Sequence, residues 1–161
     1  MPFIEDLARG EYWEYVAAQA VGRKLGYLIR ISDGKKYDVQ ILVPKTTEVK
    51  TDFRSEETGN IYIETFNPRQ GGQSGINISS ADLWIYCLPH VNALFLFERI
   101  AMLAYINENA STLRQVRGGD NNSAGCLIPI TTLEKLDFVT KIPIAEHAEM
   151  PSNSDARNIR S

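Results

Sequence analysis

The sequence predicts an α/β protein built on a central mixed β-sheet flanked by helices. Three observations point there. Trp13, Val16, Ala17, Ala20, Val21 and Leu25 recur at helical spacing. A series of short runs rich in Val, Ile, Tyr and Phe follows, punctuated by Gly, Pro, Asn and Asp. A second helical pattern then interrupts the strands. The order is helix, strand meander, helix, strand, which is the order of a layered α/β unit.

The first helix is expected from about Arg9 to Leu25, where Gly26 supplies a stop. "YLIRIS" (Tyr27 to Ser32) reads as a strand and "DGKK" as a turn. "YDVQILV" (Tyr37 to Val43) is the next strand, closed by Pro44, and "TTEVKTD" (Thr46 to Asp52) follows it. The polar loop "FRSEETGN" leads to the strand "IYIETF" (Ile61 to Phe66). "NPRQGGQSGINISS" reads as a long flexible loop. "SADLWIYCLPH" is expected to be a helical turn feeding a buried strand, and "NALFLFE" (Asn92 to Glu98) a further strand. "RIAMLAYINENA" is the second helix and "VRGGDNNSAG" a loop. "CLIPI" is a short strand, and "TTLEKLDF" a helical turn opened by Thr131 or Thr132 as cap. One domain is expected over residues 1–144. From Ala145 the apolar pattern is lost, and residues 145–161 read as a flexible tail.

Composition bounds the function. The 161 residues suit one domain with its own core, and 43% hydrophobic with 23% charged residues is ordinary for a globular protein. No apolar run reaches the ~20 residues of a membrane span. The longest, "VNALFLFERIAMLAYI", is broken by Glu98 and Arg99. The acidic start "MPFIEDLARGEYWEY" lacks the basic-then-apolar order of a signal peptide, so an intracellular protein is expected. Cys87 and Cys126 stand far apart in apolar runs and read as buried free thiols. A net charge of −3 is not the profile of a broadly basic nucleic-acid binder. Arg23, Lys24, Lys35, Lys36, Lys45, Arg54 and Arg69 can still form a local track along a phosphate backbone.

The stretch "TTEVKTD" carries the chemistry. Alternation along a strand puts Glu48, Lys50 and Asp52 on one face, with Val49 and Thr51 on the other. Asp38 lies ten residues before Glu48, on the preceding strand, and a short connection would bring the two side by side. Two carboxylates and the Val49 carbonyl make an oxygen-rich site of the kind that binds Mg²⁺, with Mn²⁺ as a substitute. Such an ion lowers the pKa of a bound water and polarises a phosphoryl group. Lys50 can orient or deprotonate that water, or stabilise the charge that develops on phosphorus. On the first helix Glu11 and Glu14 lie three apart and share a face. Glu14 borders the apolar stripe and is a further metal-ligand candidate. An exposed acid near the helix start is the other reading, and the better one for Glu11.

The run "YDVQILVPKTTEVKTD", then "TGNIYIE", then "SGINISSADLWIY", resembles the PD-(D/E)XK nuclease superfamily. It is most similar to small phage and bacterial members. In those an E-V-K-x-D strand precedes T-G-N and a strand ending in Glu, then S-G-I and A-D before an aromatic strand. The likeness covers roughly Glu11 to Leu133. It implies a restriction-endonuclease-like core, metal ligation by Asp38, Glu48 and the helix residue Glu14, and a catalytic Lys50. Tyr37 stands where the nominal motif has proline. The likeness also implies a DNA substrate, a homodimer or higher assembly with a contact after Asn92, and the cytoplasm of a bacterial or phage-infected cell.

The remaining matched residues divide between roles. Glu64 is either second to the metal or structural, with structure favoured. Asp52 extends the Glu48–Lys50 face and can pair with Lys50 or Arg54. Asp82 can contact substrate, but capping a helical turn suits it better. Arg54 and the loop that holds Arg69, Gln73 and Ser74 are candidate DNA contacts, and the loop's glycines allow close backbone approach to phosphate. That loop is equally readable as a connection. Tyr12, Trp13, Tyr15, Trp84 and Tyr86 read as core or interface packing, and His90 and His147 carry no catalytic role. The leading expectation is a Mg²⁺-dependent DNA endonuclease, of restriction, homing, repair or junction-resolving type. The alternative is a non-catalytic nucleic-acid-binding or assembly protein on the same scaffold. A nucleotide-handling enzyme lacks the G-x-x-x-x-G-K-[ST] and G-x-G-x-x-G loops.

Overall fold

In a computed structural model, two sheets and the first helix stack into layers. The structure describes residues 2–25, 29–31, 39–41, 45–118 and 122–144, with side chains over 10–22, 45–118 and 122–144. Asp38, the "DGKK" turn, His147 and the tail from Ala145 onward lie outside the described residues.

Helix α1 spans Pro2–Leu25, starting earlier than its apolar stripe does. Val16, Ala17 and Val21 form the buried stripe, the 3.6-residue pattern that the sequence carries. Strands β1 (Ile29–Ile31), β2 (Val39–Ile41), β3 (Lys45–Thr51), β6 (Leu83–Leu88), β7 (Ala93–Glu98) and β10 (Val139–Pro143) form one sheet in the order β1-β2-β3-β6-β7-β10. Only β3 and β6 pair parallel in it, with Glu48 beside Trp84 and Lys50 beside Tyr86. The mixed central sheet is therefore as expected.

The second sheet was not expected. Strands β5 (Gly72–Gln73), β4 (Asn60–Asn67), β9 (Ala124–Pro129) and β8 (Arg114–Arg117) form it in that order, all antiparallel. The chain leaves the first sheet after β3, builds β4 and β5, and returns as β6. Thus helix α1 covers one face of the mixed sheet, while the second sheet and α3 (Arg99–Glu108) cover the other.

Burial explains why this arrangement holds. Every residue of β6 is buried, as is β7 up to Phe97, so these strands are continuously apolar. Their alternation serves two cores. Ile85, Cys87, Leu94 and Leu96 pack with Val49 against α1. Trp84, Tyr86, Leu88, Phe95 and Phe97 pack with Ile61, Ile63, Cys126 and Ile128 of the second sheet and with Met102 and Ile106 of α3. Both cysteines are free and buried, as expected.

Several local readings need correction. "NPRQGGQSGINISS" is not a flexible loop. Gly72 and Gln73 pair with Asn67 and Phe66, and Gly75–Asn77 form a 3₁₀ turn around the fully buried Ile76. The Asn77 side-chain amide donates to the Thr65 carbonyl, and an Arg99 guanidinium nitrogen donates to that of Ile76. The polar "FRSEETGN" holds a one-turn helix α2 (Ser55–Thr58), closed by Gly59 in the left-handed conformation. No helical turn precedes β6 at Ser79 to Asp82. Arg117 and its neighbours belong to β8, not to a loop. Helix α4 (Ile130–Leu133) begins after Pro129, which sits at the cap position without a side-chain bond, so neither Thr131 nor Thr132 caps it.

Candidate active site

The candidate residues on β3 follow the pleat. Thr47 and Val49 are buried towards α1. Glu48 and Lys50 project to the other face, where they form an ion pair. The Glu48 side chain is 20% exposed and that of Lys50 46%. The Lys50 ammonium also lies 5.7 Å from the centre of the Trp84 ring, on the neighbouring strand. β2 pairs antiparallel with β3, with Val39 opposite Thr47, one residue short of Asp38 on one strand and of Glu48 on the other.

Lys50 stands at the edge of a cavity of about 620 Å³ between the two sheets. Trp84 and Tyr86 line it from the mixed sheet. Tyr62 and Glu64 line it from β4, where they alternate with the core residues Ile61 and Ile63. Leu127, Val116 and Arg117 line it from β9 and β8, and Phe53 and Arg54 from the turn after β3. The phenol of Tyr86 is held well above its ordinary pKa, first by burial and then by the nearby carboxylate of Asp52, with Cys126, Glu48 and Tyr62 adding to it. It donates to the Tyr62 carbonyl at 2.8 Å, so its work is to tie the two sheets together.

Glu14 stands apart from this group. It lies on the α1 side of the mixed sheet, close enough to Cys87 that its charge raises the thiol pKa. Burial is the main cause there and pushes Cys87 up to about 12; a hydrogen bond with Thr51 opposes it, and the Glu14 charge is the smallest contribution. Cys87 points into the α1 core, whereas Glu48 and Lys50 point away from it. The structure therefore brings Glu48 and Lys50 together and leaves Glu14 behind the sheet. Among the described residues, no three His, Cys, Asp or Glu side chains converge as a metal site.

The other acids are architectural. Asp52 accepts the Ser55 backbone N–H at 3.0 Å with one carboxylate oxygen and the Tyr62 N–H at 3.1 Å with the other. It thus caps the turn into α2 and occupies the open edge of β4. It pairs with neither Lys50 nor Arg54. Asp82 caps no helical turn. It accepts the Thr46 N–H at 2.8 Å and the Thr46 hydroxyl at 3.2 Å, fastening the start of β6 to the start of β3. Glu64 accepts the Ser74 hydroxyl at 2.6 Å, consistent with the structural role favoured for it. Ser74 is itself buried, which sets it apart from the other candidate DNA contacts. Arg54, Arg69 and Gln73 are exposed.

Phe53, Arg117 and Tyr62 were not singled out from the sequence. Arg117 sat within a stretch read as loop, where "RQVR" carries no apolar alternation to mark a strand. Its position beside the cavity depends on pairing with β9, where it faces Ala124. No family model, curated protein or solved structure matches this chain. The donors that β3 carries are hard oxygens, the Glu48 carboxylate and the Val49 carbonyl, and the sequence sets Asp38 immediately before β2. An all-oxygen set of this kind fits Mg²⁺ or Mn²⁺ and not a thiolate-preferring metal.

Proposed function

We propose that the protein is a Mg²⁺-dependent endonuclease that hydrolyses DNA phosphodiester bonds, with a PD-(D/E)XK-type site on a restriction-endonuclease-like core. The observation that carries this reading is the Glu48–Lys50 pair, projecting to one face of β3, with Lys50 lining a cavity. The reading requires the β2–β3 ladder to continue by one residue, which would set Asp38 opposite Glu48. Asp38, Glu48 and the Val49 carbonyl would then hold the ion. Glu14, behind the sheet, is left out of the donor set.

A bound Mg²⁺ supplies charge neutralisation at the phosphate and a more acidic water. The chain's own residues supply the rest. Lys50, partly exposed and anchored by Glu48, places a mobile cation where negative charge grows on the phosphoryl oxygens. With Glu48 engaged in holding an ion, the Lys50 ammonium would be free to face substrate. Trp84 beneath it keeps the ammonium on the cavity side of the sheet. Cleavage of both strands calls for two such sites, and we propose a homodimer. Helix α3, which buries Met102 and Ile106 but leaves Ile100 64% exposed, is a candidate for that contact.

The direct Glu48–Lys50 contact also suits a second reading. Each group satisfies the other without an ion, as on a non-catalytic nucleic-acid-binding or assembly protein. Cleavage of plasmid and branched DNA in Mg²⁺ separates the two. Wild type should cut, and Asp38→Ala and Lys50→Ala should each lose about 10²-fold or more of the rate. Metal-dependent cutting that survives both substitutions would overturn the assignment.

A further inference from the structure

We propose that the cavity beside Lys50 receives one unstacked nucleotide of a DNA strand, so that this site acts on DNA carrying an unpaired base next to the phosphate it engages. The proposal rests on the nuclease reading for its second half and on the cavity alone for its first.

Size is the first argument. At about 620 Å³ the cavity falls within the range of pockets that enclose a small molecule, and one nucleotide can enter where a duplex cannot. Its chemistry is the second. Trp84 and Tyr86 form a buried aromatic floor, while Phe53, at the rim, is 39% exposed. An exposed phenyl ring gains by covering a base, because every base offers a π-face. Asn60 and Thr58 add uncharged donors and acceptors of the kind that meet base edges.

Charge is the third argument. The lining holds two carboxylates, and both are engaged within the protein. Asp52 accepts two backbone N–H groups, and Glu64 accepts the Ser74 hydroxyl. The lining guanidiniums, Arg54 and Arg117, are exposed, and among the described residues neither forms an ion pair. They reach the lining from separate elements, Arg54 from the turn after β3 and Arg117 from β8. Guanidinium forks bind phosphate oxygens in pairs, and an aromatic seat between basic groups is how single strands are held. An unpaired nucleotide enters without the cost of extrusion, which a paired base must meet at a few kcal/mol.

Binding of the full chain to labelled DNA in Ca²⁺ tests this. The probes are a single strand, a matched duplex, the same duplex with one bulged nucleotide, and a free mononucleotide. Wild type should hold the single strand and the bulged duplex about tenfold tighter than the matched duplex. A 2-aminopurine at the bulge should be quenched on binding as it stacks. Val116→Trp, which fills the cavity, should abolish the preference while keeping matched-duplex affinity. Arg117→Ala, an exposed change that leaves the core intact, should weaken binding of the bulged duplex several-fold. Equal affinity for matched and bulged duplex overturns the proposal, as does a preference that survives Val116→Trp and Arg117→Ala. So does binding of the mononucleotide alone. If the bulge preference holds but Mg²⁺ brings no cleavage, the nuclease reading fails and the cavity assignment stands. If Mg²⁺ brings cleavage but matched and bulged duplex are cut equally well, by wild type and by both variants, the reverse is true.

Discussion

Replacing Asp52 with alanine separates an architectural acid from a metal ligand. Both Asp52 oxygens accept backbone N–H groups, one from Ser55 and one from Tyr62. The Tyr62 N–H faces away from β9, at a level where β5 does not reach, so Asp52 is its partner. A hydrogen bond to a charged group contributes about 1.5–3 kcal/mol. The carboxylate is only partly buried, so the lower end applies, and two such bonds amount to about 3 kcal/mol. In a protein of this size that corresponds to a fall in Tm of about 6–12 °C. Asp52→Asn keeps an acceptor oxygen but loses the charge, and should lose about half as much. Urea unfolding followed by tryptophan fluorescence measures both, since Trp13 and Trp84 lie in the two cores. The same variants should bind Mn²⁺ as wild type does. A loss below about 0.5 kcal/mol for Asp52→Ala would refute the latch, and loss of Mn²⁺ binding at unchanged stability would make Asp52 a ligand.

Other outcomes follow from the same geometry. Gly75 has φ +54°, and a Cβ there would meet the Glu64 carbonyl oxygen at 2.3 Å, so Gly75→Ala should cost about 2–5 kcal/mol in urea unfolding. Thr47 is fully buried, and its hydroxyl has no hydrogen-bond partner among the described residues. Thr47→Val should therefore be neutral or stabilise by up to about 1 kcal/mol, read from the same unfolding curves. Burial raises Cys87 from 9.0 to about 12 and Cys126 from 9.0 to about 11. Both thiols are neutral when folded and ionise first in the unfolded chain. Their stabilising contribution is whole below pH 9 and is lost as pH rises towards 11 and 12. Stability should fall by up to about 3 kcal/mol per pH unit between pH 9 and 11, and Cys87→Ala should halve the slope, measured by urea midpoints across that window.

The sequence discloses some of this molecule and withholds the rest for physical reasons. β3, β4, β6 and β7 carry their own apolar patterns, and so does the inward stripe of α1. β8 and β10 do not. "RQVR" is an exposed edge strand with nothing to bury on most of its length, and "VTKIP" ends in a proline that only an edge tolerates. The second sheet was hidden because β4 and β9 pair across about 60 residues of intervening chain, and local pattern does not reveal distant partners. The Glu48–Lys50 face was readable from strand alternation alone. The roles of Asp52 and Asp82 were not, because their partners are backbone N–H groups of Tyr62 and Thr46, on other strands. Glu14 was placed by its helical spacing, which says which stripe it borders but not which face of the sheet that stripe covers.

Calorimetric titration with Mn²⁺ tests the central claim most directly, that Asp38 and Glu48 share one divalent cation beside Lys50. Wild type should bind in the millimolar range or tighter. Asp38→Ala and Glu48→Ala should each weaken binding at least about tenfold, while Glu14→Gln and Asp82→Asn should leave it unchanged. Absence of binding in the wild type, or binding by Asp38→Ala and Glu48→Ala as tight as that of wild type, would contradict the account.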